Sequence, residues 1–314
     1  MTAILRVQGL VKKYGDFAAV KGISFDVQEG EIFGLLGPNG AGKTTTISVL
    51  STLYAPSDGD ATIAGHSVLR EPMAVRRLIG VVPQELAIYD ELTARENLAF
   101  WGQMYGLGGK ALRTRIEAVL EQIGLADKAN QRIATYSGGM KRRVNIGVGL
   151  LHEPRLLFMD EPTVGIDPQS RRAILDAVKA LNRQGMTVLY TTHYMEEAQE
   201  LSDRVGIIDH GNLIALGTQA ELTRQVGEND TLLLQVGERE RSEALAAAVR
   251  TLSGVLKAEV TGDAVTVITP EAEAVLAPAI TAANEAGVRI RSVAIQEPNL
   301  EAVFLHLTGR ALRD

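Results

Sequence analysis

Cysteine is absent from the 314-residue sequence, which excludes disulfides, thiol catalysis and thiolate metal sites and is compatible with the cytosol. No uninterrupted apolar stretch approaches the roughly 18 to 20 residues needed to cross a bilayer, so no membrane span is expected. The first residues meet Arg6 and Lys12 before any signal-like apolar segment develops, and no secretion signal is expected. If a membrane matters to this chain, a partner must supply it. Positive charge is not in excess either. Lys+Arg 32 against Asp+Glu 38 leaves a formal net charge of −6, so no overall positive field draws nucleic acid or anionic lipid, and no nucleic-acid partner is expected. Tandem repeats and low-complexity segments are also lacking. What is present is a folded composition, 46% hydrophobic and 22% charged, in a length that allows two domains or one large domain with an appendage.

Apolar segments and breakers predict a strand over Glu31 to Leu36, a glycine-rich turn, and a helix beginning near Lys43. Arg155 to Asp160 and Thr187 to Thr192 are short apolar runs closed by polar residues, the pattern of buried parallel strands. Between them Asp167 and Pro168 predict an N-cap and first helical turn. Ile174, Leu175, Val178 and Leu181 supply one helix face, and Gly185 ends it. The alternation of strand and helix predicts an α/β core with a parallel sheet. Residues from about 85 to 154 carry helical periodicity and almost no strand signal, a helical insertion in the sheet domain. After about residue 222 a polar stretch predicts a linker, 223–230. Residues 231–314 then read strand, helix, strand, strand, helix, strand, the order of a ferredoxin-like α+β unit.

Gly37 to Thr44, GPNGAGKT, matches GxxxxGK[ST] between a predicted strand and helix. Gly37, Gly40 and Gly42 allow a tight turn whose N–H groups converge on phosphate oxygens, with Pro38, Asn39 and Ala41 completing the loop. Lys43 would bring its ammonium to the β- and γ-phosphates, Thr44 a hydroxyl to Mg²⁺, and the helix N-terminus, with Thr45, partial positive charge. Hydrolysis also needs a metal ligand and a group that activates water. Asp160 ends the second apolar strand and Glu161 follows it, so parallel-sheet geometry puts both at the same edge as the phosphate loop. Asp160 is assigned to Mg²⁺ and Glu161 to the attacking water as general base. His193, next after the third strand, would reach the γ-phosphate from that edge.

Together these residues resemble the nucleotide-binding subunit of an ATP-binding cassette (ABC) transporter, over about residues 3 to 220. Tyr14 matches the aromatic position that stacks on adenine, with Phe17 as a competing candidate. Gln84, in VVPQ, matches the glutamine that joins the metal site to the helical insertion. Ser137-Gly138-Gly139, in YSGGM, matches the family signature, Asp167 the loop after the acidic strand, and His193 the switch histidine. The sequence departs from the commonest LSGGQ signature at Tyr136 and Met140. The Lys141-Arg142-Arg143 triplet reads as a solvated helix face. This signature variant looks like the exporter branch that pairs a separate ATPase chain with a separate permease. The C-terminal unit resembles the small extra domain often fused to that branch; its residues offer no catalytic cluster and read as a dimerisation element, a regulatory element or a passive cap.

The resemblance implies an ATPase domain over residues 1–222 and a P-loop NTPase fold with ATP and Mg²⁺ as ligands. It also implies a second copy that donates its signature to this copy's nucleotide. A membrane permease would be contacted by the helical insertion, through the stretch after Gln84 with Leu86, Ile88 and Tyr89, at the cytoplasmic face of the membrane. Two other functions stay open at this point: a soluble ABC ATPase remodelling a ribosome or nucleic-acid assembly, and a nucleotide-dependent sensor.

Overall fold

Strands β1 (Ala3–Tyr14) and β2 (Phe17–Gln28) open the chain as a long antiparallel hairpin, paired from Ala3 with Gln28 to Tyr14 with Phe17. The structure is a computed structural model that describes residues 2–224, 229–236, 239–296 and 299–308. The chain divides into one unit ending at Thr218 and a second beginning at Gln219.

In the first unit, β3 (Ile32–Leu36) is buried at every residue and leads through the glycine turn into α1 (Lys43–Leu50). β4 (Asp58–Ile63) and β5 (His66–Ser67) join the opening hairpin in an antiparallel sheet of order β2-β1-β4-β5. Sequence patterning does not predict this sheet, because register shifts around Val7 and Leu10 break the alternation that marks a half-buried strand. After α2 (Pro72–Leu78) and β6 (Ile79–Val82) come the three helices of the insertion: α3 (Ala94–Met104), α4 (Gly109–Gln122) and α5 (Gly138–Leu150). A Thr93–Glu96 capping box starts α3. Two arginines tie α4 to α5 reciprocally. Arg115 of α4 donates to the Leu150 and Leu151 carbonyls at the end of α5, and Arg143 of α5 to those of Ile123 and Gly124 at the end of α4. Carbonyls that helix termini leave without partners are thereby satisfied.

β7 (Leu156–Asp160), α6 (Pro168–Arg183), β8 (Thr187–Thr192), α7 (Met195–Leu201), β9 (Arg204–Asp209) and β10 (Asn212–Gly217) complete the unit. The second sheet has the order β10-β9-β3-β8-β7-β6, parallel except where β10 returns against β9. α6 buries Ile174, Leu175, Val178 and Leu181, a stripe that stabilises by about 1.5–3 kcal/mol per side chain. In the register of the parallel strands Leu36 lies beside Thr192, and Asp160 beside Thr191. The chain therefore leaves β3, β7 and β8 at one edge.

In the second unit α8 (Gln219–Arg224) precedes β11 (Asp230–Gln235), α9 (Arg239–Val249), β12 (Lys257–Thr261), β13 (Ala264–Thr269), α10 (Ala272–Glu285), β14 (Ser292–Gln296) and α11 (Leu300–Thr308). The strands pair antiparallel in the order β12-β13-β11-β14 over a core that includes Leu232, Leu234, Val265 and Val267. Of the expected linker, residues 225–228 lie outside the described residues, and Arg224 still belongs to α8.

Candidate active site

The phosphate loop folds around its lysine. Lys43, 3% exposed, donates from Nζ to the Gly37 carbonyl at 2.6 Å and the Pro38 carbonyl at 2.9 Å, which fixes the ammonium inside the turn. Gly42 caps α1 at φ 109°, and a Cβ there would meet the Ala19 carbonyl at 2.6 Å, so both conformation and space require glycine. A cavity of about 350 Å³ opens over the loop, lined by Asn39, Gly40, Gly42, Lys43, Thr44 and Thr45, with Tyr14, Phe17, Gln84 and Glu161 around them. Gly37 and Pro38 contribute carbonyls to Lys43, and Ala41 is buried in the core.

Glu161 faces this lysine from the end of β7, two strands away from β3 in the sheet. Its Oε1 is 2.8 Å from Lys43 Nζ and its Oε2 is 3.2 Å from His193 Nδ1, although the imidazole is not aligned for a hydrogen bond. The backbone of Glu161 takes φ 43°, a left-handed conformation that costs a non-glycine residue about 1–3 kcal/mol. Its N–H is held there by the Thr191 carbonyl and the Thr191 hydroxyl, at 3.2 and 3.0 Å. Asp160 accepts from the same hydroxyl at 2.7 Å. Burial raises the Asp160 pKa above the ordinary carboxylate range, opposed by hydrogen bonds from Thr191 and Thr44. Lys43, Thr44, Asp160, Glu161 and His193 are thus gathered at the sheet edge where the strand register delivers them.

A second acid lies behind His193 and escapes sequence reasoning. Glu197, 2% exposed, accepts from Thr163 Oγ1 at 2.7 Å, Thr192 Oγ1 at 2.9 Å and Tyr190 Oη at 3.0 Å, and Arg171 Nε lies 3.6 Å away. Burial, followed by this carboxylate, pushes the Tyr190 phenol well above its usual pKa. The bridge ties the loop after Glu161 to the residue before His193. Its one sequence signal is an acid on an apolar helix face, four residues beyond that histidine.

Ser137 N-caps α5, accepting from the Met140 N–H at 3.3 Å. Ser137, Gly138 and Gly139 therefore begin a helix in the insertion and are not among the residues lining the cavity over Lys43. A Cβ on Gly139 would stand 2.3 Å from Ser170 Cβ, so glycine is what lets α5 approach the start of α6, which Asp167 caps through the Ser170 N–H. The two departures from the commonest signature have packing roles: Tyr136 is 6% exposed and donates to the Lys128 carbonyl, while Met140 packs against the core cluster. The solvated reading of the basic triplet is corrected. Lys141 pairs with Asp90 at 2.7 Å, Arg142 is 4% exposed and donates to the carbonyls of Pro83 and Gln84, and Arg143 caps α4. Carbonyls left unpaired at a loop and a helix end draw the two arginines inward, while Lys141 stays at the surface in its ion pair.

Tyr14 is half exposed at the tip of the opening hairpin, with Tyr54 edge-on at 6.1 Å and Lys12 Nζ 5.2 Å from its ring centre. Phe17, its cross-strand partner, is more exposed. A larger cavity, about 610 Å³, lies in the second unit among Ile280, Asn284, Arg289 and Val293. Its lining includes no carboxylate, so we place the chemistry at the smaller one.

Fold and site together define a P-loop ATPase whose sheet domain carries a helical insertion. Residues 20–164 match the family described as ABC transporter. The chain is 49% identical over 313 residues to the linearmycin resistance ATP-binding protein LnrL of Bacillus subtilis (strain 168), covering 99% of this chain and 100% of that protein. It is 39% identical over 320 residues to the daunorubicin/doxorubicin resistance ATP-binding protein DrrA of Streptomyces peucetius, covering 100% and 94%. Among solved structures, an ATP-binding cassette of an ABC transporter in its ADP conformation aligns with a TM-score of 0.65 at 26% identity, covering 70% of this chain and 93% of that one. A dimeric cassette in a post-hydrolysis state bound to ADP and Pi aligns at 0.61 and 27%, covering 68% and 98%. The chain belongs to the ABC transporter family as an ATP-binding subunit, and it is an ATPase that uses ATP and Mg²⁺.

The donors present fit Mg²⁺. Thr44, Asp160 and Gln84 offer hard oxygen atoms, and no group of three or more His, Cys, Asp or Glu that could hold a metal gathers among the described residues. Such a set suits an ion shared with substrate phosphates. When bound, Mg²⁺ neutralises charge that develops on the β- and γ-phosphoryl oxygens. No helix among the described residues is long and apolar enough to cross a membrane.

Proposed function

We propose that this chain powers an exporter, with two copies closing head to tail around two MgATP and driving a separate membrane permease. The observation that carries the reading is the buried trio Lys43, Glu161 and His193 over a cavity that Ser137–Gly139 do not line. A signature at a helix N-terminus has N–H groups to offer an anion, and a second copy's nucleotide is the anion it suits. A structural relative described as a dimeric cassette in a post-hydrolysis state with ADP and Pi supports an assembly of two copies.

In each site Tyr14 stacks on the base. The loop Gly37 to Thr45 and Lys43 cradle the phosphates, while Thr44, Asp160 and Gln84 hold the metal. Glu161 takes the proton of the attacking water, His193 contacts the γ-phosphate, and Asp167 borders the site from the loop before α6. Most of the rate enhancement comes from fixed charges and N–H dipoles aimed at the phosphoryl group.

Tyr89 and Phe100 pack edge to face at 5.1 Å on the insertion, and Leu86 and Met104 are exposed. This apolar surface is where the permease docks, which sets the chain at the cytoplasmic face of a membrane. Relatives named for resistance to linearmycin, daunorubicin and doxorubicin support export of an antibiotic-type compound. The test is purification of the tagged full chain from detergent-solubilised membranes with MgATP. A polytopic membrane protein that raises its ATPase rate is expected; co-purification with ribosomes or nucleic acid instead would overturn the assignment.

A further inference from the structure

Arg142 is a buried cation that forms no ion pair among the described residues. At 4% exposure its guanidinium donates to two consecutive carbonyls, Pro83 at 2.8 Å and Gln84 at 2.6 Å, while Nε has no partner. Removing a guanidinium from water is costly, and two carbonyl dipoles offset only part of that cost. Cohesion of the insertion could come more cheaply from an apolar side chain. Asn145, 1% exposed, donates to the Pro83 carbonyl at 3.3 Å and accepts the Ala87 N–H at 3.1 Å. Lys141 adds an ion pair to Asp90. The first turns of α5 therefore grip residues 83–90, the segment that carries Gln84 into the nucleotide cavity, and the same helix begins with Ser137, Gly138 and Gly139.

We propose that Arg142 and Asn145 are positioning residues that tie the Gln84 loop to the signature helix, so that each copy's Gln84 is set by the nucleotide its own signature engages in the other copy. The proposal rests on the reading of Gln84 and of the head-to-tail dimer given above. α5 acts as a lever whose tip lies in one site and whose side chains hold a metal-contacting residue of the other. The two ends are joined by short hydrogen bonds to backbone, so the tip and the Gln84 backbone move together.

The test is a double-mutant cycle on the full chain, with steady-state ATPase kinetics of Arg142→Met, Gln84→Ala and the double variant. Arg142→Met is expected to lower kcat about tenfold or more with KM for ATP within about twofold, because displacing a group that contacts the reacting centre costs rate more than affinity. In the Gln84→Ala background the same substitution is expected to cost nothing further. A purely structural arginine would lower kcat by the same factor in both backgrounds, and that result overturns the proposal. Unchanged kcat in Gln84→Ala alone would show instead that the reading of Gln84 is wrong, and would leave the clamp nothing to position. Should Arg142→Met fail to fold, Arg142→Lys keeps the charge but not the two-pronged fork, and the same cycle with it separates the two outcomes equally well. The dimer is checked separately: Glu161→Gln/Arg142→Met is expected to dimerise with ATP as Glu161→Gln does. A monomeric double variant beside a dimeric Glu161→Gln would overturn the positioning role.

Discussion

Lys43 Nζ and Glu161 Oε1 lie 2.8 Å apart with side chains only 3% and 7% exposed, so the ammonium assigned to phosphate and the carboxylate assigned to water share one desolvated space. The strands that lead to them, β3 and β7, are not adjacent in the sheet; β8 lies between them and ends just before His193. Charge-assisted hydrogen bonds contribute about 1.5–3 kcal/mol each. Lys43→Ala is therefore expected to weaken ATP binding about 10- to 100-fold in calorimetric titration. Unaltered affinity would remove the phosphate-cradle assignment.

Asp160 gives a pH prediction. Burial raises its pKa, and Glu161 adds to the rise, against hydrogen bonds from Thr191 and Thr44 and the charge of Lys43. A carboxyl whose folded pKa exceeds its unfolded value contributes stability below the unfolded value, and loses it as pH rises through the folded one. At neutral pH the ionised Asp160 thus costs stability. Asp160→Asn, which keeps an acceptor for Thr191, is expected to raise Tm by a few degrees at neutral pH and to abolish Mg²⁺-dependent hydrolysis. Below the ordinary carboxylate range the two proteins should melt together. A variant that melts lower at neutral pH contradicts the burial argument.

Gly139 packs where a Cβ would stand 2.3 Å from that of Ser170. Gly139→Ala must push α5 off the start of α6, at a cost of about 1–3 kcal/mol. ATP-driven dimerisation of this variant, followed by light scattering, is expected to need higher protein concentration, with ATP affinity of the single chain unchanged. Parent-like dimerisation would mean that this contact does not place the signature.

Much of the site is legible in the sequence because its signals are local. The turn before Lys43, the apolar runs ending at Asp160 and Thr192, and the Asp167-Pro168 helix start each need only a few neighbouring residues, and all appear in the structure where the pattern puts them. Glu197 and Arg142 are not legible. Arg142 finds its partners 58 and 59 residues away, and Glu197 joins a loop 34 residues distant. Nothing beside Arg142 in sequence distinguishes a buried charge from a solvated one, and the apolar helix face that carries Glu197 does not name its partners. The β1–β2 hairpin is hidden for another reason, since its bulges scramble the period-two pattern.

Substitution at Tyr14 is expected to separate base recognition from catalysis. It lines the cavity from the hairpin tip, and base–aromatic stacking is worth about 1–3 kcal/mol. Tyr14→Ala is expected to raise KM for ATP about 5- to 100-fold with little change in kcat, and Phe17→Ala to change less. The reverse order would assign the base contact to Phe17.

The head-to-tail nucleotide sandwich is tested most directly by sedimentation of full-length Glu161→Gln with saturating MgATP. The prediction is a dimer holding two ATP, with phosphate release reduced about 100-fold or more, in line with loss of a general base. A chain that binds ATP yet stays monomeric at every concentration, or hydrolyses it at the parent rate, contradicts it.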